Sequence, residues 1–293
     1  MSERLKNAQP AAMAAEGSDP TAGLSLILLE ASNEFRSLTR EFPDNTEYQF
    51  RLAQCLRHRL VHADSRGESN VARETFLEAV QILDQLATKF PNEPKYLFEL
   101  ADTLMQASRA QLDIDAKESL DRAVAKAKQL ADRFPSASEY QLLLGTALAR
   151  RAAAQAIGGA SSDAEESLKQ SISILKPQAE QFPDQGVIQI PLAKSCQQLG
   201  DLLRMTAESD NTQLQRLERS RSELQDAIDR FEQYLSKSQA NSAHQRKGHF
   251  NTLTRSSLYS SLAETLTRLQ LPEQAEQARK KAVHERRPGP QSR

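Results

Sequence analysis

The sequence predicts an all-α fold, a solenoid of stacked antiparallel helix pairs, on three observations. Residues that favour helices dominate, while Trp is absent and Gly supplies only 10 of 293 residues, so glycine-rich turns and β-hairpins are scarce. The dipeptide Phe-Pro recurs four times, at spacings of 48, 44 and 48 residues. Apolar and small residues keep constant distances from each Phe-Pro, which indicates that one structural unit repeats along the chain.

The repeat is defined by positions counted from each Pro. An aromatic residue stands five residues after three of the four prolines, and a Leu followed by Ala or Gly stands nine and ten residues after all four. A small residue lies twelve residues before each Pro. The copies read Ala31, Pro43, Tyr48, Leu52 and Ala53; Ala79, Pro91, Tyr96, Leu100 and Ala101; Ala123, Pro135, Tyr140, Leu144 and Gly145; Ser171, Pro183, Ile188, Leu192 and Ala193.

Each unit reads as two amphipathic helices joined at the Phe-Pro. The segment before each Pro has apolar residues at intervals of three and four, which is typical of a helix with one buried face. Pro disfavours helical geometry in the residue before it and lacks an amide donor, so the helix ends there. Polar pairs after Pro, such as Asp44-Asn45, suit a turn and the N-cap of the next helix. The helix pairs cannot bury their apolar faces alone and are expected to stack.

These residues resemble the tetratricopeptide (TPR) family, in which a small residue, a large residue and Pro end one helix and Leu-Gly or Leu-Ala begins the next pair. The last copy matches the family frame without a gap and departs from it at Arg279, where the family has an aromatic. The resemblance implies a concave groove, lined by the first helix of each pair, that binds extended peptides or helices. The matching residues of the last copy are Tyr259, Leu262, Ala263, Leu266, Ala275 and Ala282.

The inner copies are longer than the last one. Leu262 and Ala275 are 13 residues apart, whereas the equivalent distance exceeds this by 14, 10, 14 and 22 residues in the four Phe-Pro copies. The extra length falls between the two helices of a pair, so the pairs are predicted to be extended hairpins. Their tips are expected at Asp64–Ser69, Asp113–Asp115, Gly158–Asp163 and Glu208–Asn211.

The Phe-Pro-x4-Tyr-x3-Leu-Ala pattern also resembles the C-terminal repeat arrays of large bacterial Ser/Thr protein kinases of the planctomycete type. This resemblance covers about residues 22–285 and concerns the scaffold. The sequence has no Gly-rich kinase loop, no His-Arg-Asp and no Asp-Phe-Gly. It implies, as an alternative function, an accessory or regulatory repeat region of a kinase signalling system, separated from its catalytic domain.

Composition bounds the remaining possibilities. The net charge of −1 does not indicate a chain-wide affinity for nucleic acid or membranes, and no apolar run is long enough to cross a bilayer. The N-terminus lacks the features of a secretory signal, and two cysteines form no disulfide framework, so the cytoplasm is the expected compartment. We predict a helical repeat domain over residues 22–285, which is about eleven helices beginning with a lone second helix near 24–41. Disordered segments are expected at 1–21 and, as a basic tail, at 286–293.

No residue pattern predicts catalysis, a cofactor or a metal. His58 and His62 stand four residues apart and would share a helix face, but no third ligand is placed by the sequence. Cys55 and Cys196 fit buried small hydrophobes better than nucleophiles. The stretch from Gly158 to Ser162 lacks the Lys of a phosphate-binding loop and reads as a hairpin tip. The chain is therefore expected not to be an enzyme.

The predicted partner is a protein or peptide, with nothing that indicates nucleic acid, a membrane or a small-molecule ligand. Carried over from the TPR resemblance, the candidate groove residues are Gln49, Arg51, Gln54, Arg57, His58, Phe98, Asp102, Gln106, Gln141, Thr146 and Arg150. An ordinary polar helix face is the alternative for each. The C-terminal part from residue 240 carries ten Lys or Arg against four Glu. It reads as a solvated end cap, with an acidic protein partner as the next possibility and nucleic acid after that.

Overall fold

A computed structural model describes residues 20–106, 115–207, 212–240 and 248–284, and within these ranges the chain forms eleven helices and no strand. The predicted all-α fold, with about eleven helices, is confirmed for these residues. Whether the first helix is a lone second helix, as predicted, depends on residues 1–19, which lie outside the described ranges. None of the described helices is both long and apolar enough to cross a membrane. The helices are α1 (Pro20–Glu41), α2 (Thr46–Ser65), α3 (Ser69–Lys89), α4 (Pro94–Met105), α5 (Ala116–Arg133), α6 (Ser138–Ile157), α7 (Ser161–Gln181), α8 (Gly186–Met205), α9 (Gln213–Ala240), α10 (Gly248–Arg268) and α11 (Pro272–His284).

The chain divides into two compact units, which we describe separately: unit 1 ends at Leu130 and unit 2 begins at Ala131. In unit 1, α1 packs on α2, α2 on α3 and α3 on α4. In unit 2, each helix from α6 to α11 packs on the next one along the chain. We call α2, α4, α6, α8 and α10 first helices and the others second helices. Helix α1 begins at Pro20, inside the segment 1–21 that was expected to be disordered. Residues 1–19 and the predicted tail at 286–293 lie outside the described residues.

The hairpins are extended, as predicted. Helices α2 and α3 have 20 and 21 residues, and α6 and α7 have the same lengths, whereas α11 has 13. Three residues join each long pair, and a glycine with positive φ ends the first helix of each, Gly67 at 73° and Gly159 at 80°. A Schellman motif closes both ends, because Glu68 N–H donates to Ala63 O and Ala160 N–H to Gln155 O. The tips predicted near residues 113–115 and 208–211 lie almost wholly outside the described residues.

The positions of the repeat frame form the interior of both units. The Leu-Ala or Leu-Gly pair of each first helix is buried in all four copies, and so is the small residue twelve positions before Pro in copies two to four. At Gly145 the small residue is required, because a Cβ there would lie 2.6 Å from Leu175 Cγ. Ser171 Oγ donates to Gly145 O at 2.7 Å, so a side chain of α7 reaches the backbone of α6 at this point.

The Phe-Pro turns have one local geometry. The Phe carbonyl accepts from the residue three positions later in every copy, at 3.0–3.2 Å. The Phe ring packs on the aromatic of the next helix, with ring centroids 6.0 Å apart for Phe42–Tyr48, 6.0 Å for Phe90–Tyr96 and 5.5 Å for Phe134–Tyr140. Only the first copy adds a side-chain N-cap, in which Asn45 accepts from Glu47 and Tyr48 N–H. Ring packing therefore recurs in three of the turns.

Candidate binding surface

The first helices of unit 1, α2 and α4, are joined by a row of polar contacts that we call the first-helix ladder. Its lower end is Lys95, whose Nζ lies 3.8 Å from Glu47 Oε2 and above the ring of Phe50. Its upper end is Arg57, whose Nε donates to Glu99 Oε1 at 2.5 Å and whose NH1 lies 3.1 Å from Asp102 Oδ2. The ladder thus connects α2 and α4 at two levels, near Lys95 and near Arg57.

Glu99 is the anchor of the ladder, and no motif or repeat position in the sequence marks it as a site residue. Only 5% of this residue is exposed, and its carboxylate accepts from Arg57 Nε and, in a longer contact of 3.5 Å, from Gln54 Nε2. A carboxylate removed from water is costly unless it is paired and hydrogen-bonded. One feature of the sequence could have identified it. Glu99 directly precedes Leu100, the buried Leu of the repeat, and a residue next to a buried helix position lies at the edge of the buried stripe.

The structure brings six of the predicted groove residues together on α2 and α4 of unit 1. Arg51 is exposed and donates to Glu47 at 2.7 Å and to Gln54 at 3.2 Å, while His58 is exposed about two turns further along the helix. The positions of Gln54, Arg57, Phe98 and Asp102 are all half-buried. Fixed charges and the half-buried ring of Phe98 thus share one surface, which we call the first-helix face: Arg51, Gln54, Arg57, His58, Phe98 and Asp102.

Three further groove candidates, Gln49, Gln141 and Gln106, make hydrogen bonds to the backbone of their own unit. Gln49 Nε2 donates to Pro43 O at 2.7 Å, and Gln141 Nε2 donates to Pro135 O and Ala131 O, each at 3.3 Å. Gln189, at the equivalent position of the fourth copy, donates to Ala179 O and Phe182 O. These amides brace the Phe-Pro turn. Ala131 O and Ala179 O each lie four residues before a Pro, which has no N–H to donate, so the Gln side chain supplies the hydrogen bond that the helix cannot. Gln106 is 7% exposed at the end of α4 and offers almost no surface.

In unit 2 the remaining candidates, Thr146 and Arg150, lie half-buried on α6. A polar ladder exists between other first helices there. Gln197 Nε2 on α8 donates to Ser257 Oγ at 2.7 Å and to Ser261 Oγ at 3.1 Å on α10. Arg204 NH2 on α8 lies 2.8 Å from Glu264 Oε2 on α10. Gln197 occupies the repeat position of Arg57, and Ser261 that of Glu99. The same two repeat positions therefore connect successive first helices in both units. The residues at these positions differ in type, so the sequence pattern alone did not show this regularity.

The thiols have the properties of packed side chains. Burial raises the pKa of the Cys196 thiol to about 12, and the charges of Glu223 and Asp226 act in the same direction. Burial also raises the pKa of Cys55, which is half-buried. Both thiols are therefore protonated near neutral pH and poor nucleophiles.

The other sites considered in the sequence have simple surroundings. His58 is exposed and His62 half-buried, and the described residues contain no cluster of three or more His, Cys, Asp or Glu that could hold a metal ion. The turn of residues 158–160 is the tip between α6 and α7. Two surface depressions have volumes of about 200 and 150 Å³, below the roughly 300 Å³ at which small-molecule pockets begin.

The basic C-terminal region is described only in part. Residues 241–247 and 285–293 lie outside the described residues, and with them most of the predicted basic segment. The described basic residues of α11 are Arg279, Lys280 and Lys281. Arg279 NH2 donates to Thr267 Oγ1 at 2.7 Å, Lys280 Nζ lies 3.9 Å from Glu276 Oε1, and Lys281 Nζ lies over the ring of Tyr259. These three cations are engaged with α10 and α11 themselves.

Comparison with known proteins gives a fold relationship. No protein-family model matches the chain, and no curated protein sequence matches it. Among solved structures, BtubC (BKLC) from P. vanneervenii is similar with a TM-score of 0.61 and 13% identity, covering 94% of this chain and 97% of that one. The similarity is one of fold. MamA matches with a TM-score of 0.40 and 16% identity over 75% of this chain and 93% of that chain.

Proposed function

We propose that the chain is a non-catalytic protein-interaction scaffold whose first-helix face in unit 1 binds a peptide or a partner protein. The observation that carries this proposal is the ladder between α2 and α4, in which Arg57 is held by Glu99 and Asp102. The ladder fixes charged groups on a surface that also presents His58 and the half-buried ring of Phe98. The TPR resemblance assigns its ligand groove to the same helices.

The physical advantage of this face is that its side chains are already ordered. Binding normally costs about 0.5–1.5 kcal/mol for each flexible side chain that becomes immobilised. Arg57 is fixed by two carboxylates and Arg51 by Glu47 and Gln54, so a partner would meet them in place. A peptide can take backbone hydrogen bonds from such groups and pack an apolar side chain on Phe98. The cytoplasm is the compartment that we propose for this scaffold, on the sequence ground that two cysteines make no disulfide framework.

A matched pair of charge reversals tests the proposal. Arg51 and Arg73 are both exposed arginines, but Arg51 is on the first helix α2 and Arg73 on the second helix α3. Proteins captured by the full chain from a lysate of the source organism are identified, and the affinity of each purified partner is measured by calorimetry. Arg51→Glu is expected to weaken binding at least about tenfold and Arg73→Glu less than about twofold. Equal effects of the two reversals, or none from Arg51→Glu, would refute the assignment to this face.

The kinase resemblance supplies a second candidate, an accessory region of a Ser/Thr kinase signalling system. The observation in its favour is that the residues of its pattern, Phe-Pro and the Tyr that follows, build the recurring turn in three copies. A Ser/Thr kinase or its substrate among the captured proteins, with affinity lost in Arg51→Glu, would select this candidate. Captured partners that neither carry out nor receive phosphoryl transfer would exclude it.

A further inference from the structure

Helix α1 presents an apolar row to the surface of unit 1. Leu24, Ile27, Ala31 and Leu38 follow one another at intervals of three, four and seven residues, so they lie on one helix face. Leu24 is 48% exposed and Ile27 49%, and Ala31 and Leu38 are only half-buried. We call these four residues the α1 stripe. It extends over about 21 Å of helix, at 1.5 Å per residue.

The residues at the equivalent positions of other second helices are buried under a first helix. The counterparts of Ile27, counted from the following Pro, are Thr75 on α3 and Ser167 on α7, and each is only 2% exposed. Ser167 is covered by the first helix of its own pair, since its hydroxyl donates to Gln155 Oε1 at 2.9 Å and accepts from Arg151 NH2 at 3.1 Å.

Other counterparts show the same coverage. Ala79 on α3, the counterpart of Ala31, forms a buried cluster with Leu52 and Leu56 of α2. The counterparts of Leu24 on α3 and α7 are Ala72 and Ala164, both fully buried. A first helix, antiparallel to the second, is thus the covering element wherever a long pair is complete. Helix α1 differs in having Leu and Ile where the covered helices have Ala, Thr or Ser.

An acidic row runs along one side of the α1 stripe. Glu30, Glu34 and Glu41 are exposed and share a flank of the helix, because they are four and seven residues apart. A helix that covers the stripe would gain from basic residues along its facing edge. Two antiparallel copies of α1 related by a twofold axis would instead bring both acidic rows to the same side, where like charges repel.

We propose that the α1 stripe is a docking site for an amphipathic, basic α-helix of a partner protein, which packs antiparallel to α1 in the place that a first helix occupies in the complete pairs. The chemistry required is a row of Leu and Ala at helical spacing flanked by Arg or Lys. Helix α2 is an example within this chain: its buried face carries Leu52, Leu56, Leu60 and Ala63, and Arg51, Arg57 and Arg59 lie outside that face, exposed or half-buried.

The test uses the full chain and a fluorescently labelled synthetic peptide of residues 46–65 with Cys55→Ser. Anisotropy titration is expected to give a dissociation constant on the order of 100 µM, weaker at high salt, because an isolated helix of this length is marginal in water. Leu24→Glu and Ile27→Glu should each weaken binding at least about tenfold, since either places a carboxylate in the apolar contact. Glu34→Lys should weaken it less, through charge alone.

Leu26→Glu is the matched control. Leu26 is 48% exposed on the same helix but lies off the stripe, so this variant should bind the peptide within about twofold of the parent chain. Arg51→Glu should also leave peptide binding unchanged, which separates failure of this proposal from failure of the first-helix face. Thermal unfolding of each variant checks that the fold is retained.

Three outcomes would overturn the proposal. The first is equal loss of affinity in Leu24→Glu and Leu26→Glu. The second is a dimer in sedimentation equilibrium that dissociates in Ile27→Glu, which would make a second copy the occupant. The third is peptide binding that occurs only after residues 1–19 are deleted, which would make the chain's own N-terminal segment the occupant.

Discussion

Replacing Gly145 by Ala tests the closest approach between two helices in unit 2. A Cβ at this position would lie 2.6 Å from Leu175 Cγ, 2.7 Å from Cδ2 and 3.2 Å from Cδ1. Leu175 is fully buried, and the atoms concerned are the branch point of its side chain as well as its tip. The side chain cannot escape by rotating one terminal methyl, so α7 must move away from α6 or Leu175 must leave its rotamer.

The magnitude follows from three terms. Overpacking a well-filled core costs about 1–3 kcal/mol. Weakening the 2.7 Å hydrogen bond from Ser171 Oγ to Gly145 O, which a shift of α7 would stretch, costs about 1 kcal/mol. The higher helix propensity of Ala returns about 1 kcal/mol. We expect Gly145→Ala to lower the free energy of unfolding by about 1–3 kcal/mol, the balance of these contributions.

The assay is denaturant unfolding followed by far-UV circular dichroism, with Gly158→Ala as control. The nearest atom to a Cβ at Gly158 is Ala154 O at 3.4 Å, an ordinary contact, so that variant should lie within about 0.5 kcal/mol of the parent. Leu175→Ala alone should cost about 2–5 kcal/mol by creating a cavity. In the double variant the new methyl group fills part of that cavity, so its cost should fall below the sum of the single costs by about 1–2 kcal/mol. A Gly145→Ala variant as stable as the parent, or strictly additive costs, would refute the reasoning.

Three further predictions concern the turns and the buried thiol. Gln189→Ala should lower the free energy of unfolding by about 1–3 kcal/mol, because Ala179 O loses its donor in a buried turn, while Phe182 O keeps the Gln185 N–H. Denaturant titration measures the change, and a neutral result would contradict the bracing role. Gln270 has a φ of 58°, and the N–H groups of Gln270 and Leu271 close the end of α10 as those of Gly67 and Glu68 close α2. Gln270→Gly should raise the melting temperature, because it relieves about 1 kcal/mol of backbone strain. A lower melting temperature would contradict this. Because the folded-state pKa of Cys196 is raised from 9.0 to about 12, the stability that its protonated form contributes is intact below pH 9 and is lost as the pH rises towards 12. Between pH 9 and 11 the parent should lose about 1.4 kcal/mol per pH unit more than Cys196→Ala, and parallel stability curves would contradict the burial of this thiol.

The packing interior was predictable because it follows from a local rule. The positions counted from each Pro, such as Leu100, Leu104 and Leu83, are fully buried, and the same spacing that predicted them is the spacing of one helix face. Hairpin tips were predictable at Gly67 and Gly159, since a residue with positive φ is most easily glycine. Pro177 and Pro191, by contrast, lie inside α7 and α8, which the helix-ending role of Pro did not anticipate.

The candidate binding surface was predictable only in outline. The sequence placed Arg51, Arg57, Asp102, Gln49 and Gln141 alike on the polar side of first helices. The structure adds that Arg57 meets Asp102 on another helix, whereas Gln49 and Gln141 donate to turn carbonyls. Periodicity says which side of a helix a residue occupies and not which atoms its side chain reaches. Glu99 was missed for the same reason, because its buried charge is acceptable only where Arg57 of another helix approaches.

The sequence by itself determined the repeat, the helical content, the ends of the helices and the identity of the buried positions, because all of these depend on residues close together in the chain. The tertiary structure alone decided which polar groups meet across helices, as in Arg57 with Glu99 and Gln197 with Ser261. It also decided that Leu24 and Ile27 of α1 stay exposed while their counterparts on α3 and α7 are covered. Those outcomes depend on the distance between elements far apart in the chain, which a local pattern of residues does not specify.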